Sequence, residues 1–276
     1  MSKADKLFVD MCQSILDEGY SSEGQKVRAK WEDGTPAHTI KRFGVVNRYD
    51  LQEEFPALTL RPTYIKSAVD EMLWIWQKKS NKVSDLSSGI WDEWTAEDGT
   101  IGKAYGYQMG IKYQFAQGEM DQVDNVIWQL KNAPYSRRIM TNMYNFADLS
   151  EMKLEPCAYS MTFNVTGDRL NGILHQRSQD ILAANNWNVV QYAVLIHMLA
   201  QVTGFVPGEL VHVIADAHIY DRHVDIVREM IQRPQYPAPK FTLNPDVKDF
   251  YDFKLSDIKI EDYKTNPQIK NIPIAI

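Results

Sequence analysis

The chain has 276 residues, of which 44% are hydrophobic and 11% aromatic, enough to build one large buried core and too many for a disordered chain. Its formal net charge of −6 argues against a surface made to neutralise nucleic-acid phosphates, so a bound anion would need local arginines. Only two cysteines occur, Cys12 and Cys157, which excludes a disulfide framework and a cysteine-rich zinc site and fits a reducing compartment.

Along the chain, residues 1–20 place charged and apolar side chains at helical spacing and lack the uninterrupted apolar run of a secretory signal. No later segment is long and apolar enough to span a membrane, so a cytoplasmic location is expected. Ile65, Ala68, Val69, Met72 and Trp76 predict a helix whose apolar stripe is interrupted by Glu71, either a buried acid or a surface acid at the stripe's edge. Asp121 opens a second helix running to about Asn132, and residues 136–145 read as a strand. Tyr159, Met161, Phe163 and Val165 alternate with Ser160, Thr162 and Asn164. After a Thr-Gly-Asp turn, a second strand runs from Leu170 towards Arg177. Residues 188–204 are apolar nearly all round and stop at Gly204, the pattern of a buried helix with a glycine cap. In residues 210–220, Val211, Val213, Ala215, Ala217 and Ile219 are expected on a greasy face, with His212, Asp216, His218 and Tyr220 opposite. No repeat, low-complexity tract or linker divides the chain, so residues 1–276 are expected to form one domain.

Cys157 follows Pro156, which keeps it at the edge of the first hairpin strand. A lone cysteine beside apolar residues is usually inert. The hairpin register changes that reading, because it brings Arg177 towards Cys157, and a nearby guanidinium favours the nucleophilic thiolate.

Four linked segments, PCAYSMTF, QRSQD, NNWNVVQY and DAHIYDRH, reproduce in order and spacing the central motifs of the thymidylate synthase family. VRAKWEDGTPAHT resembles that family's phosphate-contacting arginine loop, DEMLWIWQ its glutamate-bearing helix, IWDEW and GKAYG its folate-contacting tryptophans and active-site tyrosine, and YSRRIMT its twin-arginine segment. NIPIAI resembles the apolar tail that closes over the ligands. The resemblance implies an α+β domain whose mixed sheet forms a homodimer interface, with helices on the other face. It implies reductive methylation of dUMP to dTMP, with 5,10-methylenetetrahydrofolate as one-carbon donor and hydride source, and no metal.

The resemblance also assigns roles. Cys157 would add to carbon 6 of uracil, with Glu71, Tyr105 and Asn188 as further catalytic groups. Arg28, Arg177, Ser178 and the second subunit's copies of Arg137 and Arg138 would hold the phosphate. Asn188 would read the base, Gln176 would be a further dUMP-binding residue, and His218 and Tyr220 would meet the ribose hydroxyl. Asp180 would receive the pterin, within a folate pocket that includes Arg61, Ile90, Trp91, Trp94, Ala184, Trp187 and Ile276.

Ala158, Ala183, Ala184, Trp187, Ala215 and Arg61 depart from the commonest family pattern, with Trp187 standing where phenylalanine is usual. Two alternatives accompany the synthase reading. One is a pyrimidine nucleotide hydroxymethylase of the same fold, in which water replaces hydride. The other is an inactive regulatory dimer that binds nucleotide or RNA, against which the acidic composition weighs.

Overall fold

The computed structural model describes residues 2–275. Ser2 caps helix α1 (Lys3–Glu18): its hydroxyl accepts the Asp5 amide at 3.1 Å and satisfies one of the free N–H groups of the first turn. Phe8, Met11, Cys12 and Ile15 form the buried stripe of this helix. Strands β1 (Tyr20–Ser21) and β2 (Thr39–Asp50) follow, then α2 (Ile65–Trp76), the short α3 (Gly106–Gly110) and a small hairpin of β3 (Tyr113–Phe115) and β4 (Gly118–Met120). The Asp121 carboxylate accepts the Asp124 amide and starts α4 (Gln122–Asn132), matching the predicted bounds. β5 (Met140–Asn142), β6 (Ala158–Thr166), β7 (Arg169–Asp180), α5 (Asn185–Thr203), β8 (Val206–Tyr220) and α6 (Val224–Met230) complete the main body. A second small hairpin pairs β9 (Lys240–Leu243) with β10 (Ile258–Glu261).

The main sheet has the order β1-β2-β8-β7-β6-β5. Its pairs are antiparallel except β7 with β8, which are parallel. A parallel pair needs a crossover, and α5 supplies it. Because α5 lies between the sheet and α2, it is buried on nearly every side, which is why it has no polar face. Trp76 of α2 meets Phe163 of β6 and Tyr192 of α5 edge-to-face, at centroid distances of 6.4 and 6.3 Å. Gly204, at φ 82°, ends α5 as the sequence predicts, and the helix starts three residues before Asn188. The opposite face of the sheet is uncovered and carries Phe43, 91% exposed, and Val46, 52% exposed.

Two expectations are corrected. The strand read over residues 136–145 shrinks to β5, and Arg137 and Arg138 lie in the turn before it. The even alternation expected along β6 and β8 also breaks. Ile214, Ala217 and Ile219 share one core cluster with Phe8 and Met11, whereas Ala215 is only partly buried. The ladder pairs Val45 with Ile214 and Phe43 with Asp216, passing over Gly44 and Ala215, and Gly44 has φ 74°. In β6 a bulge sets Tyr159 out of register between Ala158 and Ser160. Ser160 is therefore buried, donating its hydroxyl to the Thr141 carbonyl at 2.7 Å. His212 likewise turns into the core rather than onto a chemical face.

Candidate active site

Cys157 stands one residue before β6, half-buried, with its carbonyl accepting the Arg177 amide at 3.0 Å. The Arg177 side chain folds back on the same loop. Its Nε donates to the Pro156 carbonyl at 3.1 Å and Nη2 to the Glu155 carbonyl at 2.7 Å, which fixes the guanidinium beside the thiol. Arg28, from the loop between β1 and β2, is the second cation acting on the sulfur. Burial is nevertheless the largest influence and raises the Cys157 pKa. Arg177 and Arg28 oppose it, and Glu155 reinforces it. The predicted arginine effect is present in direction, yet the thiol is the resting form in the free chain.

The Cys157 amide donates to the Tyr105 hydroxyl at 3.1 Å. Tyr105 holds that position at φ 44°, a left-handed conformation costly for an aromatic residue. Gly106 follows against Ser80, whose carbonyl oxygen would lie 2.1 Å from any added Cβ. The Tyr105 ring stacks edge-on with Trp91 at 5.2 Å, and Trp91 stacks with Trp94 at 5.7 Å.

Glu71 resolves its sequence ambiguity by being buried. Trp91 Nε1 donates to Oε1 at 2.6 Å, and Trp187 Nε1 and Gln191 Nε2 donate to Oε2 at 2.5 and 2.6 Å. Burial raises the carboxyl pKa, and the three donors partly offset that rise. Gln191 accepts from Asn188 Nδ2 at 3.1 Å, and Asn188 Oδ1 accepts from Gln176 and Gln179 at 3.3 and 3.5 Å. The Asn188 amide is thus oriented from both sides: Oδ1 accepts from two glutamines, and one N–H is left for a ligand. Gln176 is 3% exposed and also meets His212 and the Ser178 carbonyl, so it supports Asn188 instead of facing solvent.

At the far end of β8, His218 Nδ1 lies 2.9 Å from Asp216 Oδ1, and Asp216 also pairs with Lys41 at 3.0 Å. Tyr220 packs edge-on against His218 and Trp31, and burial pushes its hydroxyl up to about 12. Asp180 Oδ1 accepts the amides of Leu182 and Ala183 at 2.9 and 3.0 Å. Burial alone would raise the Asp180 pKa, but His223 and these donors hold it below the ordinary carboxylate value. His223 Nδ1 sits 3.7 Å away, an ion-pair distance rather than a hydrogen bond, and its Nε2 meets the Pro273 carbonyl at 2.7 Å. Arg61 donates to the Leu182 carbonyl beside Asp180, and Ala184 is the N-cap residue of α5.

Most of the predicted residues therefore gather at one end of β6 to β8, with Ser178 partly buried between Arg177 and Asp180. Arg137 and Arg138 do not join them. Both are exposed and bond to no side chain of the site among the described residues. Ile90 is 37% exposed, and Ile276 lies outside the described residues. Sequence reading missed Gln179, Gln191 and His223. Gln191 had a signal, since it sits one helical turn beyond Asn188. No group of three or more potential metal ligands occurs among the described residues, and no helix there is long and apolar enough to cross a membrane.

A mixed-sheet α+β fold with a cysteine, a buried carboxylate and an oriented amide joined at one end defines a class, that of enzymes with a candidate thiol nucleophile. The family profile described as Thymidylate synthase matches residues 6–275. Thymidylate synthase of Bacillus licheniformis is 45% identical over 269 residues, covering 96% of each chain, and thymidylate synthase 1 of Bacillus subtilis matches to the same extent. The thermostable thymidylate synthase A structure from Bacillus subtilis superposes with a TM-score of 0.95 at 42% identity over the full length of both chains. The chain belongs to the thymidylate synthase family, and its function is the methyl transfer that makes dTMP from dUMP. These relatives lend nothing to the hydroxymethylase or to the inactive regulatory dimer.

Proposed function

We propose that this chain uses 5,10-methylenetetrahydrofolate and works through the residues gathered around Cys157, as a cytoplasmic homodimer. The folate supplies both the one-carbon unit and the hydride, and leaves as dihydrofolate. Arg28, Arg177 and Ser178 hold the nucleotide phosphate, joined by Arg137 and Arg138 from a second copy. Cys157, once its proton is lost, forms a bond to carbon 6 of uracil, and the ring's electron pair moves to carbon 5 and its neighbouring carbonyl. The spare N–H of Asn188 matches the O4 acceptor of uracil, and Oδ1 would accept the N3 donor in place of its 3.5 Å contact with Gln179. His218 and Tyr220 face the ribose.

Glu71 moves protons through water near the base, and Tyr105 holds the water that takes the carbon 5 proton. The fit on the folate side rests on Asp180, kept ionised and partly exposed beside Arg61, as an acceptor for ring N–H groups. Trp91 and Trp94 wall that side and exclude water.

One observation carries the reading: an unbroken chain of contacts runs from Cys157 through Tyr105, Trp91, Glu71 and Gln191 to Asn188. The sheet face exposing Phe43 and Val46 supports the dimer, as do Arg137 and Arg138, exposed and with no side-chain bond to the site among the described residues. Incubation with dUMP and 5,10-methylenetetrahydrofolate, followed by mass identification of both products, is expected to yield dTMP and dihydrofolate. A hydroxymethylated nucleotide with tetrahydrofolate contradicts this reading.

A further inference from the structure

Glu71 receives three N–H donors and faces no cation among the described residues. The titratable groups turned towards it are Tyr105, from the segment leading into α3, and Tyr192 of α5. Both are held neutral by burial, and the Cys157 thiol lies beyond Tyr105. Asp70, next to it on α2, is engaged with the Ser87 amide. Among the described residues, hydrogen bonds are therefore what works against burial on this carboxyl.

The three donors are not equivalent. Gln191 is an amide whose Nε2 also donates to the Ala68 carbonyl at 3.0 Å and whose oxygen accepts from Asn188, so it could offer Glu71 an acceptor only by turning over and giving up both bonds. An indole N–H is a donor only, so it bonds an ionised oxygen well and gives nothing to an acid proton seeking an acceptor. Trp91 is buried and holds Oε1 alone. Trp187, partly exposed in the first turn of α5, shares Oε2 with Gln191, the amide that leads to Asn188.

We propose that Trp187 is a positioning residue for Glu71, its indole N–H favouring the ionised carboxylate and holding Oε2 in register with the Gln191 and Asn188 amides. Proton exchange by Glu71 and reading of the base are thereby joined on one helix, since Trp187, Asn188 and Gln191 all stand on α5. The ring's apolar bulk is a separate contribution, which a phenylalanine would keep. The N–H is what sets the proton affinity of Glu71.

This inference rests on the proposed role of Glu71, so its test reads that carboxyl directly. Side-chain carbon-13 labelling of glutamate allows Glu71 to be titrated by NMR without ligands, with Glu71→Gln identifying its resonance. Two replacements separate donor from shape: Trp187→Phe, and benzothienylalanine at position 187, which keeps the bicyclic outline and lacks the N–H. Both are expected to raise the Glu71 pKa by about one unit, tenfold in proton affinity. The acid limb of kcat is expected to move up by the same amount, with KM for dUMP little changed. A benzothienylalanine protein that titrates like the unaltered chain overturns the proposal, whatever the phenylalanine variant does. Failure of the unaltered chain to form dTMP would instead refute the functional reading and leave the titration interpretable.

Discussion

Cys157 and Glu71 are both pushed towards their neutral forms by burial. The thiol must lose a proton to react, yet burial holds it back and two arginines offset that only in part. In the proposed mechanism, guanidiniums brought by a second copy would favour the thiolate, while a bound phosphate would oppose it. Glu71 is also raised by burial, above its ordinary value of 4.5. For such a group the stabilising contribution is complete below 4.5 and is lost as pH rises through the folded-state value, because the unfolded chain ionises first. Relative to the unaltered protein, Glu71→Gln should therefore gain stability as pH rises above that ordinary value. The gain is about 1.4 kcal/mol for each unit by which the folded value is raised. Urea unfolding of both proteins across this range measures it, and a difference independent of pH would contradict the assigned cause.

At the scale of elements, what was readable in the sequence was local. The α2 stripe, the Asp121 cap, the β6 to β7 hairpin and the Gly204 stop each follow from spacing or a single special residue within one segment. Gly204 adopts φ 82°, a left-handed conformation costly for any residue with a side chain, although an added Cβ would meet no neighbouring atom within 4 Å. Gly204→Ala should cost about 1–2 kcal/mol in denaturant unfolding. An unchanged midpoint would mean that the cap relaxes freely.

The phase break at Gly44, Ala215 and Tyr159 was not readable, because it is a property of strands lying side by side and no single strand shows it alone. For the same reason His212 was assigned to the wrong face. The gathering of Cys157, Arg177 and Asn188 at one end of the sheet was legible through motif order, whereas Arg137 and Arg138 stand apart. Gln179 was not legible, since its importance lies in which amide it orients and only packing reveals that, whereas the helical spacing of Gln191 from Asn188 was a signal left unread. The fate of Glu71 needed three donors from two other segments, residues far from it in sequence.

For the whole molecule, one chain presents a nearly complete site and an uncovered sheet face, while Arg137 and Arg138 stand idle outside that site. If those arginines complete a neighbour's site, two inactive variants should rescue each other. Cys157→Ser lacks the nucleophile and Arg138→Ala the donated cation. Reassorting equal amounts leaves about half the dimers mixed, each with one intact site, or about a quarter of full activity. No recovery after verified exchange of subunits would place both groups in the same chain's site.

The central claim is that the Cys157 sulfur bonds to the pyrimidine. A 5-fluoro analogue of dUMP carries no proton at carbon 5 to lose, so with 5,10-methylenetetrahydrofolate the reaction should stop with the nucleotide attached. Intact-protein mass followed by peptide mapping is predicted to find that adduct on the peptide holding Cys157 and to find none in Cys157→Ser. A protein that turns dUMP into dTMP yet gives no adduct, or gives one elsewhere, would contradict it.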